Sequence, residues 1–265
     1  MVTRFLVTGA TGFIGSALVR RLTAGGNDVV APKRDELDLL ATSESDLAQF
    51  VEKKGISYCI HAAWYTNHAD YLTNPINRDW LAASLRLARA CRDIRFIGLG
   101  TCLEHEPRPA TLYAQCKRDL GLGLSDYRMN YAWAFVFFVY GPGDREGRLI
   151  PGMVQRFARG DRAAPRFGGL RRDYIHVDDL AEQIVRIANS DARGPIEVGT
   201  GEAPTLSEIF AAGAAAFGRP DLAEANDETG GDQPLVMQAD MTRFRAFIGE
   251  PNARDIATGL RDLVG

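Results

Sequence analysis

The stretch Phe5-Leu6-Val7-Thr8-Gly9-Ala10-Thr11-Gly12-Phe13-Ile14-Gly15 decides the fold of this chain. Its apolar start stops at three glycines spaced by three, and a helical pattern of apolar residues follows, which predicts a strand, a tight turn and a helix. A helix N-terminus offers unpaired N–H groups and the positive end of its dipole, while glycines let the backbone approach phosphates closely. We therefore expect the turn to bind the pyrophosphate of a dinucleotide. The residues expected to contact this cofactor are Gly9, Thr11, Gly12, Phe13, Ile14 and Gly15.

The composition is that of an ordinary globular protein. Hydrophobic residues make up 46% and charged residues 25% of the 265 residues, and the formal net charge of -3 provides no basic surface for nucleic acid. The four cysteines are far apart and have no metal-ligand spacing, so we expect free thiols, a reducing compartment and no metal. No apolar segment approaches the ~20 residues of a membrane helix, and the N-terminal apolar run is too short for a signal peptide. These features predict a soluble, cytoplasmic protein with no membrane partner.

Strand and helix patterns alternate after the first turn. Extended or apolar runs at 27–32, 56–60, 95–100 and 136–140 are separated by helical patterns at 43–54 and 80–92. This alternation predicts an α/β fold, a doubly wound parallel sheet of the Rossmann type. We expect residues 1–143 to form the dinucleotide-binding domain, with a return element near 174–200. The Gly-, Pro- and Arg-rich segment from 144 onward predicts a small C-terminal substrate-binding lobe over 144–265.

Basic residues follow the second predicted strand. The end of this strand faces the adenosine ribose in dinucleotide folds, where basic side chains pair with a 2′-phosphate and a carboxylate accepts from a free 2′-hydroxyl. Lys33 and Arg34 therefore predict NADPH, with NADH as the alternative cofactor. Asp35 is the ribose acid if the register shifts by one residue, and a solvated charge cluster is the third interpretation of these residues.

Small residues at the end of the third predicted strand fit a backbone that lies against the cofactor. Ala62 and Ala63 are such residues, and we expect both to contact it together with Trp64. Trp64 either shields the cofactor or fills the core. His61 is interpreted as a structural histidine, because the sequence supplies no catalytic partner for it.

Three residues carry the predicted chemistry. Tyr113 and Lys117 are four residues apart, so they share one face of a helix. A phenol ordinarily has a pKa near ~10, and a neighbouring ammonium favours its phenolate form, which brings the couple toward neutral pH. Thr101 ends a predicted parallel strand, at the edge where such sheets bind ligands, and its hydroxyl is expected to hold the reacting oxygen. We therefore predict Thr101, Tyr113 and Lys117 as catalytic residues, with Tyr113 and Lys117 also at the cofactor.

These motifs resemble the extended short-chain dehydrogenase/reductase family, of the nucleotide-sugar epimerase/dehydratase type. The G-x-x-G-x-x-G turn after a threonine, the Thr-Tyr-Lys set and the run from Arg172 to Ala181 (RDYIHVDDLA) carry the resemblance. It implies that Asp38 holds the adenine edge and that Leu39 covers it. It also implies that Arg172 contacts the diphosphate of a nucleotide-sugar substrate, as a guanidinium suits phosphate. Arg148 and Leu149 match the substrate-side loop of that subfamily, and the helices beside Tyr113 commonly pair in its homodimers.

The chain departs from the family pattern at several positions. Related dehydratases have Thr-Asp-Glu, whereas Cys102 and Leu103 follow the threonine here, so dehydration is not expected. Leu103 also replaces the cysteine of related epimerase-reductases, and Cys102 is interpreted as a small core residue. Phe135 and Phe138 stand where many relatives have Arg and Asn, which leaves the substrate contacts of that strand open.

The resemblance and these departures together predict an enzyme, an NADPH-dependent reductase of a nucleotide-linked 4-keto-6-deoxysugar. Tyr113 is its expected proton donor. The alternatives are an NAD-dependent nucleotide-sugar 4-epimerase and, from another class, a regulator that senses NAD(P) without catalysis. An intact Thr-Tyr-Lys set argues against the regulator.

Overall fold

The computed structural model describes residues 3–105, 110–127, 129–230 and 233–264. The strands are β1 Arg4–Thr8, β2 Asp28–Val30, β3 Tyr58–His61, β4 Arg95–Thr101, β5 Tyr131–Val136, β6 Phe138–Tyr140, β7 Arg171–Arg172, β8 Tyr174–His176, β9 Gly194–Val198 and β10 Val236–Met237. The α-helices are α1 Phe13–Ala24, α2 Glu44–Lys53, α3 Ile76–Ala90, α4 Leu112–Asp126, α5 Leu149–Ala158, α6 Val177–Ala188, α7 Leu206–Ala216, α8 Thr242–Ile248 and α9 Ile256–Arg261. Short 3-10 helices cover Cys102–His105 and Pro220–Leu222.

The main sheet has the strand order β2-β1-β3-β4-β5-β9. All pairings among β2, β1, β3, β4 and β5 are parallel, and the helices α1 to α4 alternate with these strands along the chain. The chain adds β2 on one side of β1 and then β3, β4 and β5 on the other, so the direction of winding reverses between β1 and β3. The prediction of a doubly wound parallel sheet is therefore confirmed, and this reversal is where such sheets bind ligands.

Two compact units divide the described residues. The first holds the described residues up to Val136 together with Ala181–Ile196 and Ala246–Ile248, and the second holds the described parts of Phe137–Leu180, Glu197–Arg245 and the segment from Gly249 onward. The second unit contains two small parallel sheets, β6 with β8 and β7 with β10. Within the described ranges, no helix is long and apolar enough to span a membrane.

Trp133 on β5 lies at the centre of the first unit's core. Its indole is 3% exposed and occupies space that side chains on β4 and α4 would otherwise fill. A Cβ on Gly100 would lie 2.5 Å from the indole Nε1, and one on Gly121 would lie 3.1 Å from it. The glycines at these two positions therefore make room for one large side chain, which brings β4, β5 and α4 close together.

The predicted strand at 136–140 is wrong. The structure ends β5 at Val136 and places Phe138–Tyr140 in β6, which pairs with β8 instead of the main sheet. The break occurs at Phe137, and the backbone N–H of Phe138 donates to the carbonyl of Asp173. A continuous apolar run predicts a strand that is buried on both faces. It does not show which strand is the partner, because strands of either sheet can be buried in this way.

Helix α3 begins earlier than the predicted start at residue 80. Pro75 occupies its N-cap position, and the side chain of Asn74 accepts a hydrogen bond of 3.0 Å from the backbone N–H of Ile76. Asn77, in the first turn, is fully buried and accepts from the indole N–H of Trp64. The polar residues of this turn are therefore part of the packed structure, although polar residues at such a position are also typical of a loop.

Candidate active site

The glycine turn after β1 is shaped by close backbone contacts. Gly9 has a φ of +70°, and a Cβ there would lie 2.7 Å from the backbone nitrogen of Ala63, while a Cβ on Gly15 would overlap the carbonyl of Gly9. At Gly12 the space is open, since only the carbonyl of Gly9 would lie within 4 Å, at 3.2 Å. The N-cap residue of α1 is Gly12, which has no side chain to cap the helix, and the first turn of α1 contains no acidic residue. The exposed positive helix end and the open face at Gly12 fit the pyrophosphate of a dinucleotide.

His61 connects β3 to its neighbours beside this turn. Its Nδ1 lies 2.7 Å from Thr8 Oγ1 and its Nε2 lies 2.8 Å from Ser84 Oγ. Burial, and to a lesser degree the charge of Lys117, lowers the pKa of His61 to about 3, so the ring stays neutral. The backbone N–H of Ala63 also donates to Thr8 Oγ1 over 3.3 Å. This network holds the predicted contact residues Ala62, Ala63 and Trp64 next to the glycine turn.

The predicted nucleotide-selecting residues follow β2, which ends at Val30. Lys33 and Arg34 are exposed, and the Arg34 guanidinium lies 3.3 Å from the carboxylate of Asp38. Asp38 also accepts from the backbone N–H of Leu40 over 3.0 Å. Leu39, expected to cover the adenine, is 5% exposed and packs in the core. Because β1, β2 and β3 are parallel neighbours, all three groups of predicted cofactor residues lie after the carboxyl ends of adjacent strands.

Lys117 lies inside the first unit, on α4. It is 4% exposed, its Nζ donates a 2.8 Å hydrogen bond to the carbonyl of Leu99 on β4, and the ammonium lies 4.0 Å from the centre of the Trp64 ring. Burial lowers the pKa of Lys117 to about 7, and the carboxylate of Glu104 opposes this shift. The lysine is therefore attached to the strand that ends in Thr101, and its charge faces an aromatic surface instead of water.

Tyr113 is on the same helix face as Lys117, as its position four residues earlier predicts. The ammonium lies 5.9 Å from the centre of the Tyr113 ring. The ring contacts Tyr71 edge-on at 5.1 Å and Trp64 at 6.3 Å, and the backbone N–H of Tyr113 donates to Leu72. The structure thus brings Tyr113, Lys117 and Trp64 together in one cluster of aromatic rings around a buried cation.

Thr101 ends β4 and is 8% exposed. Its backbone N–H donates to Glu104 Oε1 over 2.7 Å, and its hydroxyl oxygen lies 3.4 Å from the backbone nitrogen of Leu103. The sequence interpretation missed Glu104. The signal was present, because Thr-x-x-Glu is the pattern in which a glutamate accepts from the backbone N–H three residues earlier. Cys102, interpreted as a core residue, is 5% exposed.

The predicted substrate residues belong to the second unit. The Arg172 guanidinium is 4% exposed, donates to the carbonyls of Arg171 and Leu235 over 2.8 and 3.2 Å, and lies 5.8 Å from the centre of the Phe138 ring. Arg148 precedes α5, and its Nη1 lies 3.6 Å from the carboxylate of Asp144. Leu149 is the first residue of that helix. These contacts hold the Arg172 side chain in place. They do not test its predicted role as a ligand of the diphosphate, which stays a prediction.

Asp173, the residue after Arg172, connects this segment to two loops of the second unit. Its carboxylate is fully buried and accepts from the backbone N–H groups of Thr200, Gly201 and Ala239 over 2.9, 2.9 and 3.2 Å. Burial raises its pKa, while these hydrogen bonds oppose the shift. One aspartate therefore ties β8 to two loops within the second unit.

Comparison with known proteins places this geometry in a family. Residues 5–199 match the family model described as "NAD dependent epimerase/dehydratase family". The chain is 29% identical to a UDP-glucose 4-epimerase of Mycolicibacterium smegmatis, over 98% of this chain and 97% of the relative. It is 25% identical to a dTDP-4-dehydro-6-deoxy-D-allose reductase of Streptomyces bikiniensis, over 97% and 94%. The crystal structure of a Thermus thermophilus UDP-glucose 4-epimerase complex with NAD has a TM-score of 0.77 and 25% identity, over 98% and 97%. With the family model covering most of its length, and the resemblance drawn from its motifs thereby confirmed, the chain belongs to the NAD dependent epimerase/dehydratase family.

Proposed function

We propose that the protein is an NADPH-dependent reductase of a nucleotide-linked 4-keto-6-deoxysugar, with NADH as the alternative cofactor. The observation that carries this proposal is the cluster of Tyr113, Lys117 and Trp64 beside the strand that ends in Thr101. A phenol next to a buried ammonium is suited to proton transfer. Cys102 and Leu103 supply no carboxyl group for elimination, which favours reduction over dehydration. The similarity to a deoxysugar reductase supports the same reaction.

The roles of the residues follow from their chemistry. A reduced nicotinamide, when bound, would supply the hydride that the keto carbon accepts. Tyr113 donates its phenolic proton to the keto oxygen, so that a hydroxyl forms and a phenolate remains on the enzyme. The nearby Lys117 ammonium stabilises that phenolate, and the low-polarity surroundings of Trp64 strengthen the interaction. The Thr101 hydroxyl donates a hydrogen bond that holds the keto oxygen near Tyr113.

The second unit supplies the proposed substrate contacts. Arg172 is the proposed partner of the diphosphate, since a guanidinium can bind phosphate oxygens through two parallel hydrogen bonds. The nucleotide-sugar names of the relatives support this substrate class. Arg148 and Leu149, at the start of α5, are proposed to contact the same substrate.

An NAD-dependent nucleotide-sugar 4-epimerase is the second candidate. The 29% identity to a UDP-glucose 4-epimerase favours it, and the same Tyr113 and Lys117 would serve that reaction. The two candidates differ in the fate of the cofactor: a reductase consumes one reduced cofactor for each product, whereas an epimerase reduces its own keto intermediate and regenerates the cofactor.

The purified protein should be incubated with NADPH and a panel of nucleotide-linked 4-keto-6-deoxysugars, with product formation and nicotinamide absorbance followed together. We expect one NADPH to disappear for each hydroxyl product. The matching control uses nucleotide hexoses that carry a 4-hydroxyl, with bound or added NAD. Interconversion of these hexoses without a net absorbance change would support the epimerase instead, and cofactor binding without turnover of either panel would support the regulator.

A further inference from the structure

We propose that Glu104 is a positioning residue of this site, whose carboxylate fixes the end of β4 and places a negative charge beside the strand to which the Lys117 side chain donates. The effect on turnover rests on the proposed function, whereas the effect on Lys117 itself does not. Glu104 is 5% exposed and follows Thr101 in the 3-10 helix Cys102–His105.

Glu104 joins three elements of the first unit. Its two carboxylate oxygens accept from the backbone N–H of Thr101 on β4, at 2.7 Å, and from the indole N–H of Trp133 on β5, at 3.0 Å. Its backbone carbonyl accepts from the Arg118 guanidinium on α4, at 2.9 Å. Arg118, the residue next to Lys117, thus donates to Glu104, and Glu104 accepts from Thr101, so one residue connects the end of β4 to α4.

The site requires a carboxylate because both of its neighbours are donors. A carboxylate accepts at both oxygens, whereas an amide accepts at one end and donates at the other. A glutamine at this position would therefore turn its NH2 group toward either the Thr101 N–H or the Trp133 N–H. A buried donor that faces another donor loses its hydrogen bond and costs about 1–3 kcal/mol.

Within the described part of the chain, the charged side chains that act on Glu104 are those of Lys117 and Arg118 on α4. Burial raises the pKa of Glu104 to about 7. The hydrogen bonds from the Thr101 backbone and the Trp133 indole oppose this shift, and so do the charges of Lys117 and Arg118. Burial likewise lowers the pKa of Lys117 to about 7, and Glu104 is the group that raises it. His61 on β3 stays neutral, the indole of Trp133 on β5 carries no charge, and His105 packs its ring on Phe135 at 4.6 Å.

It follows that the negative charge of Glu104 offsets part of the penalty of burial and favours the ammonium form of Lys117. Loss of this negative charge lowers the pKa of Lys117 further. In the proposed reaction, the phenolate left on Tyr113 would then lack its cation at pH values where the wild type still has it. The basic limb of the rate profile should therefore move to lower pH.

Two variants separate the charge from the hydrogen bonds. In Glu104→Gln with Trp133→Phe, the amide oxygen can accept from Thr101, and the NH2 group faces a ring edge that has no donor. The matched control, Trp133→Phe alone, makes the same change to the core and keeps the carboxylate. Glu104→Gln alone combines the loss of charge with the donor–donor conflict, so it does not separate the two effects.

The direct readout is the titration of Lys117 by NMR. Lysines occur only at positions 33, 53, 54 and 117, so selective 13C labelling at Cε gives few signals, and Lys117→Met identifies the one to follow. We expect the pKa of Lys117 in the double variant to be about one unit or more below that of Trp133→Phe. Equal values in these two proteins would overturn the proposal.

The kinetic readout compares the same two proteins over pH. If the proposed reductase activity is present, the double variant should approach the rate of Trp133→Phe near pH 5 and fall about tenfold below it near pH 8. A rate reduced equally at all pH values would show that Glu104 acts only through packing, which contradicts its charge role. If the wild type turns over no keto sugar, the proposed function fails, while the NMR titration still decides the role of Glu104.

Discussion

Lys33 and Arg34 are the residues on which the choice of cofactor depends. Both are exposed after β2, and Arg34 would exchange its 3.3 Å contact with Asp38 for one with a 2′-phosphate. We predict that changing both to alanine weakens NADPH binding about 5- to 150-fold through the loss of charge-assisted hydrogen bonds, and leaves NADH binding nearly unchanged. Calorimetric titration of the variant and the wild type with both cofactors measures this. Equal affinity of the wild type for NADPH and NADH would contradict the assignment.

His61 should make the stability of the protein sensitive to acid. Its pKa is about 3 in the folded state and about 6.5 when unfolded. Between these pH values the unfolded state therefore binds a proton at His61 and the folded state does not. The contribution of the neutral His61 ring to the free energy of unfolding is fully present above pH 6.5. It is lost, at about 1.4 kcal/mol per pH unit, as the pH falls toward 3.

The variant His61→Gln lacks this titration. We predict that wild type is the more stable at pH 7 and that the difference in unfolding free energy shrinks between pH 6.5 and pH 4. Urea unfolding at several pH values measures the difference. Parallel curves over this interval would show that His61 is accessible to protons in the folded protein.

The residues of the cluster differed in how far sequence could predict them. The pairing of Tyr113 with Lys117 follows from local helix geometry, so their spacing was enough to predict a shared face. The partner of Lys117 could not be predicted in the same way. Leu99, Trp64 and Glu104 reach it from other elements, and only the packed sheet brings those elements together.

At the level of elements, the turn between β1 and α1 gives different surroundings to Gly12 and Gly15, which the sequence alone does not distinguish. A side chain on Gly15 would overlap the carbonyl of Gly9, whereas a Cβ on Gly12 would lie 3.2 Å from that carbonyl, a close contact that a small shift can relieve. We predict that Gly15→Val reduces the amount of folded protein. Gly12→Val should fold, with a cost of about 1 kcal/mol at the helix cap, and should lose cofactor binding because its side chain takes the place proposed for the pyrophosphate.

Circular dichroism melting together with cofactor titration tests this pair. Normal cofactor binding by folded Gly12→Val would show that the turn is not a phosphate site. The role of the turn in cofactor binding would then be withdrawn, although the fold would stand.

The elements also show where prediction from sequence stops. Strands β1, β3 and β4 and helix α2 were predicted close to their observed bounds, because burial and the Ser43 cap are local signals. The division of residues 131–140 between β5 and β6 was not predicted. It depends on pairing with β8, about 35 residues further along the chain, and a local apolar pattern contains no information about such a partner.

At the scale of the whole molecule, the two units are proposed to have separate tasks, and Arg172 tests the second one. We predict that Arg172→Ala raises the KM for the nucleotide sugar and leaves cofactor affinity unchanged, since the proposed contact is with the substrate diphosphate. The neighbouring Arg171→Ala is the matched control for charge, because Arg171 is exposed. An effect confined to kcat, or an equal effect of both variants on KM, would contradict the assignment of Arg172.

The central claim is that Tyr113 donates the proton in a reduction that consumes NADPH. Tyr113→Phe keeps the ring that packs against Tyr71 and Trp64 and removes the transferable proton. The most direct measurement is the rate of NADPH consumption by wild type and Tyr113→Phe with the same keto sugar, with cofactor affinity measured beside it. We predict a loss of about 100- to 10,000-fold in rate with cofactor affinity retained. Full activity in Tyr113→Phe, or turnover of keto sugar by the wild type without NADPH consumption, would contradict the claim.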